Sequence, residues 1–234
     1  MKNKKIVFFS GAGISQESGI KTFRCPKEGI YKDLEVEKVV HASMLKHKPE
    51  IVYDFCNIFR NDILDKRPNE AHKLIARLEG SFDITVITTN IDSLHEDAGS
   101  TNVLHLHGEL NKSRTFGNPA NLYPLKGDLH VGDVDDNGDK LRPHVVLFEE
   151  MPYNVNESYD ALEETDFLVI IGNSLSIGYT IPMLASVNPD AKVYYIDPTP
   201  SKDLEYYSLI PEYIKLSATK GMKKLYTKLL KTLD

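Results

Sequence analysis

The chain has 234 residues, 41% of them hydrophobic and 26% charged, with a formal net charge of -6. That length and composition support one large packed core and exclude both an extensively disordered chain and a scaffold that depends on covalent staples. The negative balance leaves no electrostatic footprint for nucleic acid, and two cysteines are too few for a disulfide framework or a four-thiolate zinc site, which fits a reducing compartment.

Lys2, Lys4 and Lys5 stand where a signal peptide carries its positive charges, but the apolar run behind them is short and ends in Ser-Gly. The sequence therefore reads as soluble and untargeted, with no membrane partner. Ile6-Val7-Phe8-Phe9 predicts a buried strand. Directly after it, Gly11-Ala12-Gly13-Ile14-Ser15 reads as a nucleotide-binding turn, continued by Ser18-Gly19-Ile20 to Thr22-Phe23-Arg24. Glycines there let the backbone turn sharply and approach a pyrophosphate, and the amides of a following helix would face the phosphates. An ordinary strand-to-helix connection is the competing reading.

Residues 26–68 are mostly helical in pattern and predict a small cap, with a helix over 49–64 whose apolar pattern takes in Cys56 as a small buried side chain. A further helix is predicted over 69–78 and a strand over 84–88. Behind that strand, Thr88-Thr89-Asn90-Ile91-Asp92-Ser93-Leu94-His95 places Asn90 and Asp92 outside a carboxyl strand end, able to bond a ribose or a carboxamide. Helix capping by either residue explains them as well.

Residues 103–107 predict another strand, on which His105 and His107 point to one face. A metal pair must then be considered, although the sequence places no third ligand. His107, immediately before Gly108, also suits a general base near neutral pH, or a hydrogen-bonded structural role. Residues 111–141 are rich in Gly, Pro, Asn and Asp and predict a small irregular subdomain. Within them Asp133-Val134-Asp135-Asp136-Asn137-Gly138 begins like a calcium loop, but its twelfth position is His144 where Glu is required, so it reads as an acidic surface turn.

Strands are predicted over 145–148, 167–171 and 193–196, and helices over 154–163 and 221–233. Gly172-Asn173-Ser174-Leu175 follows the second of these strands as a small polar turn suited to the other half of a dinucleotide. Asp197 before Pro198 either accepts from ribose hydroxyls or forms a turn. Nearly continuous apolar strands alternating with helices predict an α/β fold with a parallel, doubly wound sheet.

In this order, the segments resemble the sirtuin family of NAD-dependent protein deacylases over nearly the whole chain. Gly11 to Arg24 resembles the GAGIS-x-x-SGI-x-x-FR signature, Thr88 to His95 resembles TQNID-x-LH, and Val103 to Leu110 resembles the segment carrying the catalytic histidine. Arg142-Pro143-His144-Val145-Val146-Leu147-Phe148-Glu149-Glu150-Met151-Pro152 resembles the substrate-strand motif. The resemblance implies a Rossmann-like part, residues 1–25, 69–110 and 142–234, carrying a smaller domain built from insertions 26–68 and 111–141. It implies NAD as cofactor and an acyl-lysine protein as partner, in the cytoplasm, with the oligomeric state open. The acyl oxygen would attack the ribose carbon bearing nicotinamide, and the acyl group would end on ADP-ribose.

In that chemistry His107 would be the base, with Asn90 and Asp92 as its catalytic companions. Gly11, Ala12, Gly13, Ser15, Thr22, Phe23, Arg24, Thr89, Asn90, Ile91 and Asp92 would hold NAD, together with Gly172, Asn173, Ser174, Asp197, Pro198 and Ala218. Phe23, Ile91 and Asp92 would fix nicotinamide and exclude water, and Arg24 would pair with the phosphates. Cys56, Phe59, Val145, Phe148, Glu149, Glu150 and Ile177 would line the substrate.

Several positions depart from the family. Residues 111–141 lack the four cysteines of its structural zinc site, which looks like a zinc-free branch with no metal, and Phe116, Leu122, Tyr123, Leu125 and Leu129 offer an apolar core instead. Thr89 replaces a Gln, Asp197 an Asn, and Glu149 a Gly beside the expected peptide. Where some bacterial relatives carry Tyr-x-x-Arg for acidic acyl groups, this chain has Cys56-Asn57-Ile58-Phe59, with Arg60 about 100° further round a helix. A preference for acetyl or longer apolar acyl groups over succinyl follows. An ADP-ribosyltransferase or NAD glycohydrolase on the same fold, and an idle NAD-binding module, are the alternatives.

Overall fold

The computed structural model describes residues 4–20, 36–207 and 209–233. Its strands are β1 (Lys5–Ser10), β2 (Asp83–Thr88), β3 (Val103–His105), β4 (Gly108–Thr115), β5 (Leu122–Pro124), β6 (Leu141–Val145), β7 (Phe167–Ile171), β8 (Lys192–Ile196) and β9 (Glu212–Ile214). The described helices are α1 (Ala12–Ser15), α2 (Val36–Val39), α3 (Ala42–His47), α4 (Pro49–Ile63), α5 (Glu70–Leu78), α6 (Leu94–Asp97), α7 (Val155–Glu163), α8 (Thr180–Leu184) and α9 (Ala218–Leu230). Among the described residues no helix is long and apolar enough to cross a membrane.

Six strands form a parallel sheet in the order β3-β2-β1-β7-β8-β9. Its central strands are apolar on both faces because both faces are covered. Ile6 and Phe8 of β1 and Val169 and Ile171 of β7 face Leu74, Ile75 and Leu78 of α5 and Met222, Leu225 and Leu229 of α9. Val7, Phe9, Leu168 and Ile170 point the other way, toward Leu162 of α7 and Met183 and Leu184 of α8. The strand order reverses between β1 and β7, which puts a crevice at their carboxyl ends, where α/β sheets bind ligands.

Three further strands form a small antiparallel sheet, β5-β4-β6. The expected strand over 103–107 stops at His105, so His107 lies in the connection and β4 runs into this second sheet. Residues 111–141 are accordingly more ordered than their composition predicts. Their strands were hidden because β4 buries Ser113, Arg114 and Thr115 in place of an apolar alternation. The expected strand over 145–148 is displaced: β6 ends at Val145, and the apolar run beyond it packs as a loop, with Leu147 buried against Val52, Cys56 and Leu110.

That cluster, built on α4, is the apolar interior on this side of the molecule. The expected core of residues 116–129 does not form. Phe116 and Leu122 are exposed, Tyr123 and Leu125 are half-buried, and only Leu129 of the five is buried. Polar contacts hold the segment instead. Asn57 donates to the Leu129 carbonyl at 2.9 Å and accepts from its amide at 3.0 Å, while Arg60 pairs with Asp128 at 2.9 Å.

The last helix begins three residues earlier than its pattern predicts, because Gly221 sits inside α9 rather than at its end. A Cβ at Gly221 would lie 2.2 Å from Cγ2 of Ile196, so glycine lets α9 approach β8 closely. Helix propensity alone predicts that Gly221→Ala stabilises the protein by about 1 kcal/mol. The packing predicts the opposite, a loss of roughly 1–3 kcal/mol and a fall in Tm of roughly 2–12 °C. Thermal unfolding of the variant checks the sign.

Candidate active site

Two turns interlock at the crevice. The Gly11 amide donates to the Ile171 carbonyl at 3.2 Å and the Gly13 amide to the Gly172 carbonyl at 2.8 Å. Gly172 is left-handed, with φ 57°, and a Cβ there would lie 2.2 Å from the Ile14 nitrogen. At Gly13 and Gly172 glycine therefore serves contact of backbone with backbone, a Cβ at Gly11 would meet the Asn173 side chain at 2.8 Å, and the amides of Gly11 and Gly13 are already engaged. Asn173 continues the joint, with its side-chain amide donating to the Ser10 carbonyl at 3.2 Å and its carbonyl accepting from the Tyr195 hydroxyl at 2.6 Å.

The loop after β2 closes over the first turn. The Thr89 amide donates to the Ser10 carbonyl at 3.1 Å. Asn90 donates to Ser15 Oγ at 3.2 Å, and Ser15 Oγ donates to Asp92 Oδ2 at 2.9 Å. Asp92 Oδ1 accepts from the Leu94 amide at 3.1 Å and so braces the start of α6 without being its N-cap, which is Ser93, while the other oxygen faces Ser15. Among the described residues no cation pairs with Asp92 at ion-pair distance. Burial raises its pKa, against the Leu94 amide and the Ser15 hydroxyl, which pull it down.

His107 stands beside this loop. Its Nδ1 lies 3.0 Å from the Thr89 carbonyl, which can only accept, so Nδ1 carries the proton and the neutral ring keeps a lone pair on Nε2. The Tyr179 hydroxyl is 2.6 Å from that nitrogen. Burial holds the imidazole below its ordinary pKa, with the Thr89 carbonyl pulling the other way. His105 does not share a strand with His107 as the pattern predicts, because β3 ends at His105. It bonds the Asn90 carbonyl at 2.8 Å and Glu96 at 2.9 Å, in a group with Glu109, which itself pairs with Lys112 at 2.7 Å. Burial alone would lower the His105 pKa, but Glu96 outweighs it and the net shift is upward.

On the side toward the small sheet, Cys56 and Phe59 of α4 join Val145 in one apolar cluster that reaches Ile91. Burial pushes the Cys56 thiol up to about 12, so it is a packed side chain and not a thiolate. The loop after β6 is tied to the helices: the Phe148 amide donates to the Val40 carbonyl at 2.8 Å and the Ala42 amide to the Phe148 carbonyl at 3.1 Å. Glu149 adopts φ 75°, the left-handed backbone that favours Gly, and its carboxylate lies 3.4 Å from His41 Nε2. Glu150 is committed internally. It binds Arg142 through both oxygens, at 2.5 and 3.0 Å, and accepts from the Leu147 amide at 2.9 Å.

Ala12 is half-buried at the first turn, and Ser174 and Ile177 are exposed on the loop before α8. Asp197 Oδ1 accepts from the Thr199 amide at 2.8 Å, which realises the turn reading for that oxygen, with Pro198 exposed beside it. Ala218 is buried at the start of α9. Thr22, Phe23 and Arg24 lie outside the described residues. Two residues of the site escaped the sequence reading. Tyr179 had only its place after Gly178 to mark it, and Glu17 reads as a surface acid although it accepts from the Thr219 amide at 2.8 Å and the Ser217 hydroxyl at 3.1 Å, fastening the first turn to α9.

Comparison with known proteins gives a consistent result. The model of the Sir2 family matches residues 11–178. An NAD-dependent protein deacylase of Aggregatibacter actinomycetemcomitans is 40% identical over 195 residues, covering 83% of this chain and 93% of that protein. One of Helicobacter pylori is 37% identical over 227 residues, covering 97% and 98%. The crystal structure of a Sir2 homolog–NAD complex superposes with a TM-score of 0.84 at 29% identity, covering 99% of this chain and 91% of that one.

The Arg142–Glu150 pair yields a test. Burial would raise the Glu150 pKa, but the hydrogen bonds from Arg142 and the Leu147 amide outweigh it and hold it below its ordinary value. A carboxyl depressed in the folded state adds stability above its unfolded pKa and loses it as pH falls through the folded one. Glu150→Gln, which strands the Arg142 guanidinium, should cost about 3 kcal/mol at pH 7. Urea unfolding as a function of pH should show the difference from wild type shrinking below about pH 4.

Proposed function

The chain belongs to the Sir2 family, and on that premise we propose that it is an NAD-dependent protein lysine deacylase working at the β1/β7 crevice. The observation that carries this reading is the His107 imidazole, with Nδ1–H fixed by the Thr89 carbonyl and the Nε2 lone pair turned to a hydroxyl. The residues present fit the cofactor. Asp92 is a buried carboxylate with no ion-pair contact among the described residues, an acceptor suited to the N–H of a carboxamide. NAD, when bound, supplies a ribose carbon open to attack by the acyl oxygen, with nicotinamide as leaving group.

His107 Nε2 takes the proton of a ribose hydroxyl, a role suited to an imidazole that burial keeps neutral at pH 7. Asp92 orients the carboxamide, while Asn90 and Ser15 fix its position, and Ile91 and Phe23 keep water from the nicotinamide. Arg24 would pair with the phosphates. The turns at 11–13 and 172–174, with Asp197, Pro198 and Ala218, would hold the dinucleotide.

Acyl-lysine enters along the loop Val145 to Glu150, against Cys56, Phe59 and Ile177, with Glu150 supporting that loop through Arg142. The reading of residues 1–25, 69–110 and 142–234 as the Rossmann-like part and 26–68 and 111–141 as the small domain is supported by the two separate sheets, although β4 and β6 straddle those limits. A cytoplasmic setting is supported by the small number of cysteines.

The decisive assay is nicotinamide release with and without an acetyl-lysine peptide. Wild type should release it only with peptide, and His107→Ala should lose more than about 100-fold of that activity. Peptide-independent release would favour the glycohydrolase instead. The acyl pocket makes a second prediction. Arg60 is paired with Asp128, and Arg142, whose charge reaches Cys56, is paired with Glu150, so among the described residues neither cation is left over to meet an acidic acyl group at Cys56 and Phe59. On matched peptides, desuccinylation should run more than about tenfold below deacetylation and debutyrylation, since an unpaired carboxylate is costly to bury. Faster desuccinylation would contradict the pocket.

A further inference from the structure

We propose that Tyr179 is a positioning residue for His107: its hydroxyl holds the ring in the Nδ1–H tautomer and fills the Nε2 lone pair until the ribose hydroxyl displaces it. The inference rests on the reading of His107 as the base. It begins with donors and acceptors. The Thr89 carbonyl at 3.0 Å takes the Nδ1 proton, so the one remaining acceptor of the neutral ring is Nε2, and the phenol at 2.6 Å is the donor that meets it. The two contacts brace the imidazole from opposite sides. The other tautomer would set the Nδ1 lone pair against the Thr89 carbonyl, two acceptors facing each other, and a flipped ring would put carbons where the two nitrogens stand.

The same lone pair must take the proton of the ribose hydroxyl if His107 acts as base. It cannot accept from two hydroxyls in line at once, so cofactor and Tyr179 compete for one position. The local structure suits a group that yields. Tyr179 directly precedes α8 and follows Gly178, whose surroundings are open, and residues 176–178 are exposed. Its ring packs against the apolar cluster between α7, α8 and the sheet and stands edge-on to His107, with centroids 6.1 Å apart. The ring is thus anchored on the apolar side while its hydroxyl end reaches the site.

Tyr179 remains a phenol throughout the working pH range, because burial pushes its pKa upward. Around the imidazole, the loop after β2 contributes the Thr89 carbonyl and the segment before α8 contributes Tyr179. No carboxylate or ammonium among the described residues shifts His107. A hydroxyl that donates to Nε2 stabilises the neutral ring and opposes protonation. Removing it should therefore raise the His107 pKa, whereas a tyrosine that only fills space would leave the titration where it was.

The test is Tyr179→Phe, which keeps the ring and its packing. Two readouts are needed: the NMR titration of His107 in the cofactor-free protein, assigned by the signal lost in His107→Asn, and the KM for NAD. The titration midpoint should move up in Tyr179→Phe, the acid limb of kcat/KM should move with it, and KM for NAD should fall about two- to tenfold, the equivalent of one neutral hydrogen bond. An unmoved titration overturns the proposal, and so does a raised KM. The underlying assignment is judged separately. If His107→Asn keeps peptide-dependent nicotinamide release, His107 is not the base, while the titration still decides whether Tyr179 controls its proton.

Discussion

The crevice depends on one contact, that of the Gly11–Gly13 turn against Gly172. Neighbouring parallel strands β1 and β7 send their chains in opposite directions at their carboxyl ends, and at Gly13 and Gly172 the two departing turns pass each other without side chains between them. The Gly13 amide reaches the Gly172 carbonyl at 2.8 Å, and neither turn has room for a Cβ at that point. Because the contact is backbone against backbone, it fixes Ser15 and Asn173 at one place, and both lean on the loop that carries Thr89, Asn90 and Asp92. The side chains proposed to react are held by a joint of two sheet strands, and not by a loop alone.

The side proposed to receive the acyl-lysine is organised differently, by charged and polar groups bridging elements far apart in sequence. Arg60 and Asn57 of α4 fasten residues 128–129, and the Tyr53 hydroxyl donates to the Leu141 carbonyl at 2.6 Å. Arg142 clamps Glu150 and with it the loop that holds Glu149 left-handed, a conformation costing about 1–2 kcal/mol for a residue with a Cβ. Strain of this kind persists only where neighbours enforce it. Here the neighbours are the Arg142–Glu150 pair on one side of Glu149 and the bonds from Phe148 to Val40 and Ala42 on the other.

The inner strands of the large sheet were legible because they are covered on both faces, whereas the short edge strand β9, with Glu212 exposed, carries no such run and went unpredicted. Ile6 to Phe9 and Phe167 to Ile171 are apolar without interruption, and no other element type fits such short runs between turn residues. The small sheet was not, since β4 and β6 bury Ser113, Arg114, Arg142 and His144, whose pairing partners come from elsewhere in the chain. Asn90, Asp92 and His107 could be picked out as chemistry at a strand end. Their hydrogen-bond partners could not, because Ser15 meets Asp92 across 77 positions and Tyr179 meets His107 across 72. Local pattern carries no signal at that range. Gly221 shows the converse: a residue that locally reads as a helix boundary is explained by Ile196 on a neighbouring strand.

The central claim is that one crevice joins cleavage of NAD to removal of an acyl group from lysine. Product stoichiometry tests it most directly. With wild-type protein, NAD and an acetyl-lysine peptide, mass spectrometry should find nicotinamide, deacetylated peptide and O-acetyl-ADP-ribose in equal amounts. Nicotinamide accompanied by free or protein-linked ADP-ribose, with the peptide still acetylated, would contradict the account.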